Sequence, residues 1–133
     1  MEGSVKDLSK YRFERAEEDL YISKILFEGN NLRASANRSY YAIFHALRAV
    51  HALDGFDSSK HSGIMGTFNE RYIKAGVFPK DMSRDISLAY RIREKSDYED
   101  FFIISKEDAK EQIERAEHIL NLVGEYLSNK WSI

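Results

Sequence analysis

The last third of the chain has the most regular pattern of apolar residues, and that pattern has the period of an α-helix. Six residues repeat at steps of four and three: Ala109, Ile113, Ala116, Leu120, Val123 and Leu127. On a helix this spacing places all six on one face, which packs against other helices. Ser105 precedes the run as a helix cap, with Asp108 three residues later in a capping-box arrangement. The pattern therefore predicts a long amphipathic helix.

Helical periodicity also dominates the rest of the chain, and no segment alternates with the period of two that is typical of strands. Before the last helix, we predict helices over residues 8–28, 32–53, 64–74 and 80–95. Turn and cap residues mark their ends: Gly29-Asn30-Asn31, Asp54-Gly55, Gly76 and Pro79. The sequence therefore predicts an all-α fold, an antiparallel bundle of four long helices plus one short helix, with residues 1–133 in a single domain.

Composition limits the classes of protein to which this chain can belong. Its 133 residues, 43% hydrophobic and 32% charged, have the size and composition of a globular domain. The net charge of −2 excludes a strongly basic nucleic-acid binder, although it allows a local basic patch. The absence of cysteine excludes disulfides, thiolate metal sites and cysteine nucleophiles. The polar amino terminus and the lack of a long apolar run predict a cytoplasmic protein without a membrane segment.

The second predicted helix carries two different faces. One is an ordinary core face, made of Ala36, Tyr40, Ile43, Leu47 and Val50. The other lies about 160° around the helix. It carries four polar or aromatic residues among four alanines: Arg38, Tyr41, His45 and Arg48 among Ala34, Ala42, Ala49 and Ala52. A solvated face would carry lysine, glutamate and glutamine instead. Its composition therefore indicates a surface that something packs against or binds.

Arg38 and His45 are two helical turns apart, so both side chains leave the same side of the helix. A histidine with a pKa near neutrality can take the proton of a 2′-hydroxyl or donate one to a leaving oxygen. An arginine can hold the phosphate and stabilise charge in the transition state. The pair therefore predicts metal-independent RNA cleavage. The alternative is structural, with His45 hydrogen-bonded inside a helix interface and Arg38 in an ion pair, and the spacing alone leaves both open.

Two further groups of polar residues are weaker candidates for binding a phosphate or RNA. Lys60 and His61 precede a predicted helix start, where backbone N–H groups can hold a phosphate, although Ser62 acting as a helix cap is the simpler interpretation. Arg91 and Arg93 lie near the end of the fourth predicted helix and extend a basic rim. Arg93 has an alternative role. Asp97 follows it by four residues, a spacing that favours a surface ion pair.

Acidic and histidine residues do not form a recognisable metal motif. Glu114 and His118 are four apart on the last predicted helix, whereas a di-iron bundle needs glutamate and histidine at a spacing of three on two helices. We therefore expect no metal site and no cofactor.

Residues 37–46, Asn-Arg-Ser-Tyr-Tyr-Ala-Ile-Phe-His-Ala, resemble the signature of HEPN-domain proteins, in particular the small bacterial and archaeal subgroup. Three further segments resemble that family in the same order: residues 60–63, 68–76 and 93–98. With the closing amphipathic helix, the resemblance covers about residues 5–127. It is therefore far more specific than the spacing of one arginine and one histidine.

The resemblance implies an α-helical bundle that forms a homodimer. Many HEPN proteins are ribonucleases, often toxins encoded beside a minimal nucleotidyltransferase (MNT) antitoxin, and their active cleft forms where two Arg-x(4–6)-His motifs meet across the dimer. Arg38 would then anchor the phosphate and His45 would act as acid or base, with Tyr41 and Arg48 flanking the cleft. The alternatives are a non-catalytic HEPN module that binds a partner nucleotidyltransferase or a nucleotide, and a scaffold dimer whose Arg–His face is the interface.

The chain departs from the ribonuclease members at three points. Those members commonly carry asparagine, aspartate or histidine directly after the arginine, where this chain has Ser39. Their motif often lies on a later helix than the second. In toxins silenced by adenylylation a tyrosine follows two positions after the histidine, and here that position is Leu47.

Overall fold

All regular structure in residues 4–132, the part of the chain that the structure describes, is helical. The structure is a computed structural model; the first three residues of the polar amino terminus and residue 133 lie outside the described range. Five α-helices follow in order: α1 (Ser4–Glu28), α2 (Leu32–Asp54), α3 (His61–Phe68), α4 (Asp81–Tyr98) and α5 (Lys106–Trp131). None of the described helices is long and apolar enough to cross a membrane. The predicted all-α bundle of four long helices and one short helix is confirmed.

The predicted helix ends are confirmed where a specific cap residue marks them. The Oγ atom of Ser105 accepts the backbone N–H of Asp108 at 3.0 Å, as the capping arrangement predicts. Gly55 and Gly76 have φ of +72° and +84°, the left-handed conformation that glycine adopts most easily. Other ends are shifted outwards: α1 begins at Ser4, and α4 continues to Tyr98.

The start of the short third helix also differs from the prediction. α3 begins at His61, with Lys60 at the cap position, so the interpretation of Ser62 as the cap is wrong. The reason is the turn before it, where Asp57 Oδ1 accepts the N–H of Ser58 and Ser58 Oγ accepts the N–H of Lys60. These bonds turn the chain early enough for the helix to start directly after Lys60. A single π-helical segment, Asn69–Ile73, then extends α3.

α2 is the central helix and packs against each of the other four. Its predicted core face is at most 1% exposed: Ala36, Tyr40, Ile43, Leu47 and Val50. The alanines of its second face are mostly buried too, because α1 packs on them. Ala42 and Ala49 are fully buried, whereas Ala34 is exposed. Ser9 Oγ on α1 donates to the backbone oxygen of Ala49 at 2.7 Å, so the two helices lie close together. The alanines are therefore explained by the packing of α1 of the same chain.

The close packing of α1 on α2 can be tested by enlarging one alanine. We expect Ala49→Leu to lower the free energy of unfolding by about 1–3 kcal/mol, because the larger side chain has no space between the helices. Ala34→Leu on the exposed part of the same helix is the control and should change it by less than about 0.5 kcal/mol. Urea denaturation followed by circular dichroism measures both. Equal effects of the two substitutions would contradict this packing.

Candidate functional site

A buried carboxylate on α1, Asp19, faces both Arg38 and His45 on α2. The side chain of Asp19 is only 5% exposed. Arg38 Nη1 donates to Asp19 Oδ1 at 2.8 Å. His45 Nε2 lies 3.6 Å from Asp19 Oδ2, which is too long for a hydrogen bond, and the two groups form an ion pair only when the imidazole is protonated. Arg38 and His45, which the sequence places on one side of a helix, therefore both lie beside Asp19, each near a different carboxylate oxygen.

Asp19 is a residue that neither the motifs nor the apolar pattern singled out. It follows four charged residues that are all exposed: Glu14, Arg15, Glu17 and Glu18. One signal separates it from them. It comes three residues after Ala16 and four before Ser23, which both lie on the inner stripe of α1, so helical spacing places it on the buried side. A lone acid at such a position indicates a basic partner, because an unpaired buried carboxylate is costly.

Arg38 and His45 border an open groove between α1 and α2, which we call the His45 groove. Its volume is about 560 Å³, and its lining comprises Arg15, Asp19, Ala34, Asn37, Arg38, Tyr41 and His45. The side chain of Arg38 is 50% exposed and that of His45 is 13% exposed. Both candidate side chains therefore reach the groove, and neither is sealed inside the packed interface of α1 and α2.

His45 is electrostatically biased towards its neutral form. Burial lowers the pKa of His45 to about 4; Asp19 acts in the opposite direction, while Arg15, Arg48 and Arg12 lower the pKa further. At pH 7 the imidazole is therefore uncharged and has a free electron pair with which to accept a proton. The same surroundings make it a weak base, since a low pKa reduces the driving force for proton uptake.

Tyr41 lies beside the His45 ring and is held from α4. The ring centroids of Tyr41 and His45 are 6.2 Å apart. Arg93 Nη2 donates to Tyr41 Oη at 3.1 Å, and Arg93 Nε lies 2.9 Å from Asp97 Oδ2, which confirms the predicted pair. The guanidinium of Arg93 also lies over the Tyr40 and Tyr41 rings, 5.5 and 5.6 Å from their centroids. Arg93 therefore fixes the tyrosine that forms one wall of the His45 groove.

Arg48 and His61 line a second open groove, which we call the His61 groove. Its volume is about 550 Å³, and its lining comprises Phe44, Arg48, Asp57, Ser58, Ser59 and His61. Arg48 makes two hydrogen bonds to Asp57, from Nε to Oδ1 at 3.3 Å and from Nη2 to Oδ2 at 3.0 Å. Burial and then the charges of Arg93 and Arg48 lower the pKa of His61. Sequence reasoning did not separate this groove from the first one.

Two of the predicted site residues lie at the margin of this arrangement. Lys60 is exposed and directly precedes His61. Arg91 is also exposed, and it lies two residues from Arg93, or about 200° around α4. Because Arg93 faces α2, the structure does not bring Arg91 to either groove.

The acidic and histidine residues of α5 do not form a metal-binding cluster. Glu114 and His118 line an open groove together with Arg115 of the same helix and Arg84 of α4. Within residues 4–132, no three histidine, cysteine, aspartate or glutamate side chains are close enough together to hold a metal ion.

The control of His45 by its neighbours can be tested by changing one charge at a time. We expect Asp19→Asn to lower the pKa of His45 further, because it removes the negative charge that stabilises the imidazolium. Arg15→Gln should raise the pKa, because it removes a repelling cation. NMR titration of the His45 imidazole measures both. Shifts in the same direction, or no shift in either variant, would contradict the described electrostatics.

The low pKa of His45 also predicts how stability depends on pH. Its pKa is about 4 in the folded chain and about 6.5 when unfolded, so between these values the unfolded chain binds more protons. Stability is therefore lost as the pH falls through this window. The loss in free energy of unfolding from pH 7 to pH 5 should be smaller in His45→Gln than in the wild type. The exposed His118 provides the control, and His118→Gln should lose as much as the wild type.

Comparison with known proteins places this arrangement in a family. Residues 9–126 match the sequence model of the HEPN domain. A "UPF0332 protein" of Thermotoga maritima is 31% identical over 114 residues, which is 86% of each chain. A protein named "Putative toxin MJ0605", from Methanocaldococcus jannaschii, is 36% identical over 85 residues, which is 64% of this chain and 63% of that protein.

The fold is also similar to a solved structure. The crystal structure of TT1696 from Thermus thermophilus matches with a TM-score of 0.73 and 17% sequence identity, over 88% of this chain and 96% of that one. At this identity the similarity concerns the fold alone. The HEPN match, in contrast, spans nearly all of the five helices, including Asp19, Arg38 and His45. The chain therefore belongs to the HEPN domain family.

Proposed function

We propose that this HEPN protein is a metal-independent endoribonuclease of the toxin type that acts as a homodimer. The observation that carries the proposal is the contact of Asp19 with both Arg38 and His45 at an open groove. Asp19 thereby orients Arg38, a cation suited to binding a phosphate, beside His45, a neutral proton acceptor. The names of relatives as putative toxins support the biological role.

Arg38 supplies the contact to the substrate phosphate. Asp19 engages one of its guanidinium nitrogens, and the half-exposed side chain presents further N–H donors to the groove. Phosphate is recognised well by such a planar fork of donors. Asp19 is thus a positioning residue, since it orients the guanidinium without contacting the substrate itself.

His45 supplies the proton acceptor. In the proposed reaction the neutral imidazole takes the proton of a ribose 2′-hydroxyl, and the 2′-oxygen attacks the adjacent phosphorus. The bond from phosphorus to the 5′-oxygen of the next nucleotide breaks, which leaves a 2′,3′-cyclic phosphate. The departing 5′-oxygen needs a proton, and one neutral histidine cannot supply it in the same step. The equivalent histidine of a second copy of the chain would be the acid, because the negative charge of the bound phosphate raises its pKa and allows it to carry a proton. This need for a second histidine is the chemical reason for a dimer.

The second candidate function is a non-catalytic HEPN module that binds a nucleotide or a partner MNT nucleotidyltransferase. The low pKa of His45 favours it, because a base with a pKa of about 4 removes a hydroxyl proton poorly. Ser39 also favours it, since this residue is fully buried and its Oγ donates to the backbone oxygen of Ser35 at 3.1 Å. Ser39 therefore does not reach the groove, and it stands at the position where the ribonuclease members commonly carry asparagine, aspartate or histidine.

Cleavage of a mixed tRNA and mRNA pool in excess EDTA tests the leading function. We expect the wild type to cleave, and His45→Ala and Arg38→Gln to lose activity by about 10²–10⁴-fold, because each removes a group that acts in the transition state. Arg91→Gln is the matched control, since it removes an exposed arginine outside both grooves and should keep full activity. Circular dichroism and sedimentation must show that every variant is folded and has the oligomeric state of the wild type.

Two results would contradict the ribonuclease proposal. Absence of cleavage by the wild type would favour the binding module, and affinity capture with an MNT nucleotidyltransferase would then be the next assay. Equal cleavage by the wild type and His45→Ala would indicate a contaminating nuclease.

A further inference from the structure

Tyr41 lines the His45 groove and Phe44 lines the His61 groove, and their rings lie 6.3 Å apart between centroids. We call this pair of rings the aromatic ridge. The His45 ring lies on one side of it, with centroid distances of 6.2 Å to Tyr41 and 5.9 Å to Phe44. The His61 ring lies on the other side, 5.9 Å from Tyr41 and 4.0 Å from Phe44. A chain of nucleotides that crosses the ridge would therefore enter both grooves.

His61 is held in a fixed orientation by contacts within the chain. Its ring stacks on Phe44 with an angle of 15° between the planes. Its Nδ1 atom is hydrogen-bonded to Tyr40 Oη at 2.6 Å. Nε2 has no partner among the described residues and stays available to a molecule in the groove. This arrangement gives a partly exposed aromatic surface with a polar edge, and no ordering of the ring is needed on binding.

Cations outnumber anions around the His61 groove. Arg48 and Arg12 both contact Asp57, at 3.0 and 3.3 Å. Lys60 adds a third cation, exposed beside His61. Arg48 lines the groove, and Arg12 and Lys60 lie at its margin, so the local charge favours an anionic ligand although the chain as a whole is acidic. The hydroxyls of Ser58 and Ser59 add uncharged hydrogen-bonding groups to the lining.

We propose that the His61 groove binds one nucleotide of a single-stranded RNA, next to the nucleotide whose phosphate contacts Arg38. The base would stack on the face of the His61 ring that Phe44 does not cover, and its phosphate would contact Arg48 and Lys60. Stacking on aromatic side chains combined with a basic groove is the usual way in which proteins hold unpaired nucleotides. The groove volume of about 550 Å³ lies in the range of sites for small ligands. This inference rests on the proposed function for its RNA context, but binding of a nucleotide to the groove can be measured separately.

The four histidines of the chain allow a site-specific test by NMR. The wild-type protein is titrated with 5′-AMP and, separately, with inorganic phosphate, while the imidazole resonances of His45, His51, His61 and His118 are followed. We expect 5′-AMP to shift His61 in a saturable way and to leave the exposed His118 on α5 unchanged. Inorganic phosphate should bind more weakly by about tenfold or more, because it has no base to stack.

Matched variants identify the groups that hold the phosphate. Lys60→Gln should weaken 5′-AMP binding by about three- to tenfold, because it removes a cation without disturbing the packing. Arg91→Gln, outside both grooves, should leave the affinity unchanged. Arg48→Gln should weaken binding at least as much as Lys60→Gln, but it also breaks the bonds to Asp57, so the lysine variant decides the test.

Several outcomes would overturn the inference while the proposed function survives. These are a shift of His45 without a shift of His61, an equal shift of His118, equal affinities for phosphate and 5′-AMP, and no effect of Lys60→Gln. Conversely, saturable binding at His61 together with absence of RNA cleavage would support the nucleotide site and contradict the ribonuclease.

Discussion

The buried carboxylate of Asp19 is the interaction on which the site depends. A carboxylate that is 5% exposed must be paired, because an uncompensated charge inside a protein is strongly destabilising. Arg38 supplies the pairing and His45 is drawn into the same cluster. The contact exists only because α1 lies close to α2, and α1 can approach because Ala42 and Ala49 offer no bulk between the helices. The packing of α1 on α2 therefore determines, through Asp19, how Arg38 and His45 are placed.

The charge of Arg48 connects the two grooves. Arg48 lies near both histidines, and after the effect of burial its charge is among those that lower the pKa of His45 and of His61. The guanidinium of Arg48 is itself held by Asp57 and lies 5.9 Å from the centroid of the Phe44 ring. An anion that binds near Arg48 would offset this repulsion at both rings. The grooves are thus best understood as neighbouring parts of one polar surface on α2.

The positions of the helices could be predicted from the sequence because the spacing of apolar residues shows which face of a helix is buried. The stripe from Ala109 to Leu127 is buried throughout, and Ser105 caps α5 as expected. The start of α3 could not be predicted in this way, because it depends on side-chain bonds of Asp57 and Ser58 that no periodic pattern records. Contacts between distant segments were missed for the same reason. The bond between Tyr40 and His61 joins residues 21 positions apart.

The candidate site was predictable in part. The shared side of Arg38 and His45 follows from helical spacing, but their link through Asp19 requires the position of α1, which spacing within α2 does not contain. The buried Leu47 gives structural meaning to one departure from the toxins. The position two residues after the histidine is 0% exposed and lies in the core, so it offers no side chain to a modifying enzyme.

The chemical identity of the RNA ends made by the wild-type protein tests the central claim, that Asp19 holds Arg38 and His45 in place for attack by a ribose 2′-hydroxyl. A defined single-stranded RNA is incubated with the protein in excess EDTA, and the fragments are analysed by mass spectrometry. The account predicts fragments with a 2′,3′-cyclic phosphate on one side of the break and a 5′-hydroxyl on the other. Fragments with 3′-hydroxyl and 5′-phosphate ends would contradict it, because such ends result from attack by water without participation of the 2′-hydroxyl.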